Sequence, residues 1–314
     1  MQRATIYLII IIFSVRCVDP INLLSPETAK SYLIIDGLLS ITGTTAKVTV
    51  NTYRSSFNTE RSSPTLVDQV ELIDNQGKKL ALQRITVGVY EATETPEFRF
   101  ELNKNYKISV RFGGDLFESE WTPLLPVPKI NSINQIYTPE TTDTPPNVEI
   151  LITTEFNDSH TTQILRWNVI RAYQITEQIE GGSPGKTCYV TVRDDLLGNT
   201  TLDGRVLPKN EKFRISATSR RINADFAEDS YYSIVLESID LNTFKYFKAR
   251  QNLVSREGNL FETPPGQLFS NIRCVNDSTK NVLGYFYATQ QDTARIYISP
   301  ESVGTPVKLC PRPP

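Results

Sequence analysis

The chain contains one histidine, His160, which limits the acid–base and metal chemistry that it can perform. A serine or cysteine hydrolase needs an imidazole beside its nucleophile and a third group that orients the imidazole. His160 lies in the polar run NDSHT, which begins at Asn157 and lacks the GxSxG pattern of a nucleophile elbow. The run is typical of an exposed loop, so we predict no catalytic residue at His160.

Two groups of carboxylate residues have spacings that could suit a catalytic pair or a metal site. A glycosidase needs two carboxylates ~5 to 9.5 Å apart, and Glu118 and Glu120 could lie that close because residues two apart on a strand share a face. Asp194, Asp195 and Asp203 could supply oxygen ligands to calcium, but their spacing is not that of an EF-hand loop. Solvated carboxylates on a sheet or a hairpin give the same patterns. We therefore predict neither a catalytic pair nor a metal site.

Cofactors and nucleic acids have no recognisable site in the sequence. The run GGSPG, which begins at Gly181, is followed by no P-loop lysine pattern and indicates a hairpin tip. The four cysteines show no CxxC spacing, which excludes a zinc ribbon and a thioredoxin-type redox pair. The 33 basic and 35 acidic residues give a formal net charge of -2 without a long run of either sign. We predict no cofactor and no nucleic-acid partner, because the latter needs a concentrated basic patch.

The N-terminal run MQRATIYLIIIIFSVR has the organisation of a secretory signal. Its apolar stretch over residues 6–13 is much shorter than the ~20 residues that span a bilayer. Cys17 follows where bacterial lipoprotein signals are cut and the thiol is acylated, although Arg16 differs from the small residue usual before that cysteine. Acyl chains contribute ~0.8 kcal/mol per buried methylene, so two or three hold a domain at a membrane. We predict a signal peptide over residues 1–16, lipidation of Cys17 and a tether over residues 17–31.

Three further cysteines, Cys188, Cys274 and Cys310, lie in a chain predicted to be exported, where disulfides persist. Three thiols form one bridge and leave one over. A bridge between Cys274 and Cys310 is favoured, because it would tie the proline-rich C-terminal tail to the last domain, with ~3 to 4 kcal/mol from loop closure. Cys188 stays an alternative partner.

Short alternations of apolar and polar residues, separated by frequent turns, predict a mainly β protein. Val48 and Val50 alternate with polar residues, and the run DNQG from Asp74 marks a hairpin turn. Six prolines between residues 122 and 146 indicate a stiff connector or an edge segment. Asp240 can cap a helix. The apolar face of that helix would place four residues in the core: Leu241, Phe244, Phe247 and Val254.

These patterns predict a domain order. We expect an immunoglobulin-like or transthyretin-like sandwich over residues 32–121, a proline-rich connector over residues 122–146, and a second β-rich domain over residues 147–314 with one prominent helix near residues 240–254.

The C-terminal half carries motifs that resemble a known family. These are YYSIVLESIDLNTFKYFKARQ from Tyr231, GNLFETPPGQLFSNI from Gly258 and NVLGYFYAT from Asn281, together with CVDP at Cys17 and YLIIDGLLS at Tyr32. They are similar to the domain-of-unknown-function 4249 family of Bacteroidota envelope lipoproteins. The resemblance implies an N-terminal sandwich, a gene near TonB-dependent outer-membrane receptors and no agreed biochemical activity. It also implies that Gly284 lies where a strand needs a close backbone approach.

We therefore expect a lipid-anchored, non-enzymatic protein of the cell envelope, located at the outer membrane, because no catalytic set is recognised in the sequence. Its expected role is non-enzymatic binding or accessory work beside a TonB-dependent receptor. The alternatives are a carbohydrate- or peptide-binding module, a hydrolase built on the carboxylates or His160, and an unlipidated secreted structural protein. A binding module would need exposed aromatic rings, and the candidates are Trp121, Trp167, Tyr231 and Tyr232.

Overall fold

Alternating apolar and polar residues form three β-sheets in the computed structural model, which describes residues 31–56, 62–156, 164–178, 184–193, 201–206, 208, 210–222, 229–254 and 268–299. The predicted mainly β architecture is confirmed, with one α-helix among the described residues. The elements follow in this order: β1 (Ser31–Thr42), β2 (Thr45–Ser56), β3 (Ser63–Pro64), β4 (Gln69–Asp74), β5 (Lys79–Ala81), β6 (Gln83–Thr86), β7 (Val89–Thr93), β8 (Asn105–Phe112), β9 (Asp115–Ser119), β10 (Thr122–Pro123), β11 (Ile130–Thr138), β12 (Asn147–Glu155), β13 (Ile164–Gln178), β14 (Pro184–Arg193), β15 (Thr201–Asp203), a 3-10 turn (Gly204–Val206), β16 (Lys212–Arg221), β17 (Ser230–Ile239), α1 (Leu241–Val254), β18 (Ile272–Cys274), β19 (Val282–Leu283) and β20 (Phe286–Ile298).

The largest sheet has eleven strands, and eight of them follow the order β14-β13-β17-β20-β1-β2-β7-β6. Its strands pair mainly in antiparallel fashion, but β1 runs parallel to β20 and to β19. Successive side chains in a strand point to opposite faces, so the pairing registers decide which residues share a face. Ile35 and Trp167 lie on the buried face, whereas their neighbours Asp36 and Arg166 lie on the opposite one. We call that opposite face the polar face.

Two smaller sheets cover the buried face. The sheet β18-β9-β8-β4-β5 packs its Leu72 and Ile108 against Ile35 of β1 in one apolar cluster. The sheet β11-β12-β16 packs its Ile150 against Trp167 of β13 in a second cluster. Burial of these side chains provides the main driving force for folding. Neither of these two sheets packs on the polar face, which carries the helix described below.

The turn predicted at Asp74 is confirmed between β4 and β5. One carboxylate oxygen of Asp74 accepts hydrogen bonds from the backbone N–H groups of Gln76 and Lys78, each at 2.9 Å. Gly77 has a φ of 82°, a conformation that glycine adopts without the clash of a Cβ atom. Local side-chain chemistry therefore specifies this hairpin.

The predicted helix near residues 240–254 is confirmed as α1. It begins at its expected cap, because the backbone N–H of Thr243 donates to Asp240 Oδ1 at 2.8 Å. Among the described residues, no helix combines the length and the apolar character needed to cross a membrane.

The apolar face predicted for α1 is wrong in part. Leu241 is 41% exposed, and Phe244 and Phe247 are only half-buried, whereas Tyr246 is 7% exposed. The physical reason is that α1 lies on the polar face of the largest sheet and not on either apolar cluster. The Val254 side chain lies outside the described residues.

The structure adds two facts about the region predicted as a connector. Residues 122–146 contain β10 and β11, and β11 is an edge strand of the smallest sheet. Strand β1, from the predicted N-terminal module, pairs with β20 from the C-terminal module, so the largest sheet contains strands from both sides of this region. The domain boundary itself stays a prediction.

Gly284 occupies a position where a side chain has no room, as the family motifs implied. Its φ is 102°, and a Cβ atom there would lie 2.1 Å from the backbone oxygen of Ile35. The close approach allows the chain between β19 and β20 to pack directly against β1. Gly284 therefore sets how Tyr285 enters the polar face.

Candidate functional site

A groove of about 900 Å³ lies on the polar face beneath α1. Strands β2, β1, β20, β17, β13 and β14 each contribute lining residues, so the groove crosses the sheet. Of its nineteen lining residues, nine have polar or charged side chains and five are aromatic. Neighbouring strands are ~4.8 Å apart, so six of them span ~24 Å. The groove is long enough for an extended ligand.

The pairing registers arrange the polar face of β14, β13, β17 and β20 into four rows. The first row contains Arg166, Glu237 and Gln291; the second, Asn168, Val235 and Thr293; the third, Arg193, Ile170, Ser233 and Arg295; the fourth, Thr191, Ala172, Tyr231 and Tyr297. Successive rows are two residues apart along each strand, about 7 Å. The first row lies beneath α1, and exposure to solvent increases toward the fourth.

The first row contains a buried ion pair. Arg166 Nη1 donates to Glu237 Oε2 at 2.8 Å, and the two side chains are only 7% and 2% exposed. Glu237 Oε1 also accepts hydrogen bonds from Asn168 Nδ2 at 3.2 Å and from Gln291 Nε2 at 2.8 Å. The guanidinium of Arg166 lies 4.0 Å from the ring centre of Phe247 on α1. Glu237 is thus neutralised and hydrogen-bonded, which gives it a structural role.

Asp36 of β1 lines the same groove, six residues along the strand from Thr42, which pairs with Gln291. Burial raises the pKa of its carboxyl group, while a hydrogen bond from the Tyr285 backbone and the charge of Arg250 act in the opposite direction. The rings of Tyr246 and Tyr285 stack with their centres 4.2 Å apart. Burial also raises the pKa of both tyrosines to about 12, so both are neutral at physiological pH.

The fourth row presents an exposed pair of aromatic rings. Tyr231 and Tyr297 are 44% and 46% exposed, and their ring centres are 5.1 Å apart. Arg295 from the third row lies 5.6 Å from the ring centre of Tyr231, and its Nε donates to Ser233 Oγ at 3.0 Å. These contacts hold the pair and the guanidinium in fixed positions on one side of the sheet.

The four candidate stacking residues differ in exposure. Trp167 and Tyr232 are 4% and 0% exposed in the second apolar cluster, so neither can offer its ring to a ligand. Trp167 instead donates its indole N–H to the backbone oxygen of Ala217 at 3.0 Å. Trp121 is 47% exposed, with the Lys107 ammonium 5.1 Å from its ring centre. Tyr231 is the candidate that the structure places beside the groove.

The carboxylates singled out in the sequence are not gathered at the groove. Glu118 of β9 forms an ion pair with Lys107 of the neighbouring strand β8 at 2.6 Å, and Glu120 is exposed. Asp203 pairs with Arg205, whose hydrogen bond lowers the pKa of that carboxyl group. No cluster of three or more histidine, cysteine, aspartate or glutamate side chains able to hold a metal ion occurs in the described ranges. Asp194, Asp195 and His160 lie outside those ranges.

Cys274 is buried with a free thiol 3.2 Å from Asn276 Oδ1. Cys17, Cys310 and the Cys188 side chain lie outside the described residues. The predicted lipidation of Cys17 and the predicted bridge between Cys274 and Cys310 therefore stay predictions.

Sequence reasoning missed the residues that build the groove. Asp36, Arg166, Asn168 and Glu237 all lie on strands, where they alternate with buried apolar residues. This alternation indicates that each of them points away from the apolar core face of its own strand. It does not show that three strands distant in sequence bring them to one groove, because the pairing registers are not local information.

Comparison with known proteins gives one family match. The model described as Domain of unknown function (DUF4249) matches residues 18–295. No curated protein matches the chain.

Three solved structures show distant similarity. A DUF4785 family protein from Legionella pneumophila is 14% identical, with a TM-score of 0.21 over 68% of this chain and 54% of that one. The native conformation of alpha-2-macroglobulin from E. coli is 11% identical, with a TM-score of 0.19 over 70% of this chain and 14% of that one. Its trypsin-activated form is 10% identical, with a TM-score of 0.20 over 68% and 15%. The chain spans about half the length of the first structure and about a seventh of the other two.

Proposed function

Because the chain belongs to the family described as Domain of unknown function (DUF4249), which carries no assigned activity, we propose its function from the polar face. The protein is a non-enzymatic binding protein of the cell envelope, and the groove beneath α1 is its binding site. One observation carries this proposal. The buried acid of the groove, Glu237, accepts from three donors, while the threonines and arginines of the outer rows are exposed to solvent: Thr191, Arg193, Thr293 and Arg295. Fixed donors and acceptors favour recognition of a ligand.

We propose that acylation of Cys17 anchors the protein at the outer membrane. The short apolar run before Cys17 supports this anchor. The described domain begins at Ser31, so the tether over residues 17–31 would separate the lipid from β1. The family resemblance adds the proposed partner, a TonB-dependent receptor, to which the protein would present its ligand. At the level of fold, we propose that residues 32–121 form an immunoglobulin-like or transthyretin-like module.

Metabolic labelling with a palmitate analogue tests the anchor. We expect the full-length protein to incorporate the label and to sediment with outer membranes, and Cys17→Ala to lose both properties. Cys188→Ala is the matched control and keeps both, because only the thiol after the signal is acylated. Labelling that persists in Cys17→Ala, or a wild-type protein without label, contradicts the anchor.

Co-purification tests the proposed partner. Protein solubilised from native membranes in mild detergent is expected to retain a TonB-dependent receptor, identified by mass spectrometry. A membrane-anchored protein of another family from the same preparation serves as the control for non-specific capture. Recovery of the receptor with both baits, or with neither, argues against an accessory role.

The exposed Tyr231 favours one of the alternatives as a description of the ligand, namely a carbohydrate- or peptide-binding module. A solvent-exposed aromatic pair beside polar side chains is an arrangement that recognises ligands by stacking and hydrogen bonding. A carbohydrate would stack on the exposed rings, whereas an extended peptide would need unpaired strand edges for main-chain hydrogen bonds.

A further inference from the structure

We infer that the outer three rows of the polar face bind an acidic oligosaccharide, an inference that rests on the proposed binding function. The second, third and fourth rows together present two exposed tyrosine rings, two exposed arginines and two exposed threonines on the same face of the sheet. Each of these three features matches one chemical property of such a ligand.

The aromatic pair matches the rings of a sugar. Tyr231 and Tyr297 lie side by side with ring centres 5.1 Å apart, and nearly half of each residue is exposed. A pyranose ring has an apolar face of C–H groups that packs on an aromatic ring, while its hydroxyl groups stay in water. An aromatic ring with a polar tip suits such a half-wet site.

The charges match carboxylates on the ligand. Arg193 and Arg295 lie in the third row, and the residues of the outer three rows include no carboxylate. Within the described part of the chain, neither arginine forms an ion pair. A guanidinium group binds a carboxylate through two parallel hydrogen bonds. Three strand spacings separate β14 from β20, about 14 Å, which a chain of several sugars can bridge and one sugar cannot.

The threonines of the outer rows match the hydroxyl groups of a sugar. Thr293 of the second row and Thr191 of the fourth are exposed, so each hydroxyl can donate to or accept from a ligand. Asn168 lies between the first and third rows, but its amide nitrogen donates to Glu237 and its Oδ1 is enclosed, so it belongs to the support of this surface.

The orientation of the surface disfavours a peptide. A ligand that contacts both Arg193 and Arg295 crosses β13 and β17, roughly at right angles to the strands. Strand β17 is paired on both edges at Tyr231, by β13 and by β20. A peptide that lies across paired strands cannot form main-chain hydrogen bonds with them, so it loses the interaction that gives strand addition its affinity.

Calorimetric titration of the full-length protein in detergent tests the inference. The probes are tetragalacturonate and oligosaccharides of hyaluronan and chondroitin sulfate. Fully methyl-esterified tetragalacturonate keeps the rings without the charge, and pentaglutamate keeps the charge without the rings. We expect at least one acidic sugar to bind at least about tenfold more tightly than both controls, the change that a lost charged contact produces.

Variants locate the bound probe on the protein. Tyr231→Ala is expected to weaken binding about tenfold, a typical loss for a stacked ring. The double variant R193Q/R295Q is expected to lose at least as much and to flatten the dependence of affinity on salt concentration. Trp121→Ala and Arg84→Gln, exposed residues away from the outer rows, serve as matched controls that keep full affinity.

Three results overturn the inference: no acidic sugar binds, the methyl ester or pentaglutamate binds equally well, or the matched controls lose as much affinity as Tyr231→Ala. If palmitate labelling and receptor recovery are intact in the same preparation, such a result removes only the ligand class. Loss of labelling and receptor recovery removes the proposed function instead.

Discussion

The polar face has two ends that differ sharply although they share the same strands. At the end beneath α1, the charges of Arg166 and Glu237 are buried and paired, and Phe247 covers the guanidinium. At the other end, Tyr231 and Arg295 are exposed, and neither the third nor the fourth row contains an acid. The alternation of residues along the strands is the same at both ends.

The comparison shows that the helix, and not the strand pattern, separates structure from binding. Beneath α1 the side chains of Arg166 and Glu237 are buried, so their polar groups must find partners within the protein. Where α1 does not cover the sheet, polar and aromatic side chains are exposed and can contact a ligand. Substitutions at the covered end should therefore change stability, and those at the open end should change binding.

Gly284→Ala should give the largest effect, at the covered end. A Cβ atom would lie 2.1 Å from the backbone oxygen of Ile35, and the φ of 102° already disfavours a side chain. We expect a loss of about 4 kcal/mol or more in the free energy of unfolding, measured with urea. Gly77→Ala is the matched control, since its φ is 82° but its surroundings are open, and it should lose about 1 kcal/mol. Equal losses would mean that the backbone dihedral alone matters.

Glu237→Gln should give the next largest loss in the free energy of unfolding. The amide keeps the shape of the side chain but removes the carboxylate that pairs with buried Arg166, which costs about 3 kcal/mol. The control is Glu91→Gln in the pair with Lys47, an ion pair of 2.6 Å that is 26% and 40% exposed. Exposed pairs contribute at most about 1 kcal/mol, so this variant should stay close to wild type in urea unfolding. A small loss for Glu237→Gln would show that the covered end is hydrated.

The local parts of this fold could be predicted from sequence, because their causes lie within a few residues. The carboxylate of Asp74 and the φ of Gly77 specify one hairpin, and Asp240 specifies the start of α1. The buried side of α1 could not be predicted, because it depends on contact with another element. Tyr246 is buried through its stack with Tyr285, which follows it by 39 positions in the chain.

For the groove, only the direction in which residues of a single strand face could be predicted from the sequence. Alternation along β13 shows that Arg166 and Asn168 face away from Trp167, and this holds for each strand taken alone. The rows appear only when β17 pairs with β13 and β20, and the groove only when β20 pairs with β1, more than 240 residues earlier. Long-range registers depend on the whole core, so no single segment encodes them.

Tyr231→Ala should have a small effect on stability, at the open end. The residue is 44% exposed, and its main contact is the cross-strand ring of Tyr297. Such pairs contribute about 0.2 to 1 kcal/mol, so urea unfolding should change by less than 1 kcal/mol. Tyr232→Ala, one residue away but fully buried, is the control and should lose about 3 kcal/mol or more. Similar losses would contradict the distinction between the two faces.

Asp36→Asn should give the smallest effect, and its sign depends on pH. Burial raises the pKa of Asp36, so the native state binds more protons than the unfolded state above the unfolded value of 3.8. The stabilising contribution is present at low pH and is lost as pH rises through the folded pKa. Asparagine removes this titration and still accepts from the Tyr285 backbone. The melting temperature of the variant should match wild type near pH 3 and exceed it by about 2 °C at pH 7.

Asp277→Asn provides a control of opposite sign for that measurement. Hydrogen bonds from the Thr279 side chain and backbone lower the pKa of Asp277, so its contribution is present at neutral pH and is lost as pH falls through the folded pKa. This variant should be less stable than wild type at pH 7 and should match it at low pH. If Asp36→Asn is also less stable at pH 7, attraction to Arg250 outweighs the cost of burying the carboxylate. The covered end would then owe its stability to charge pairing at both of its acids.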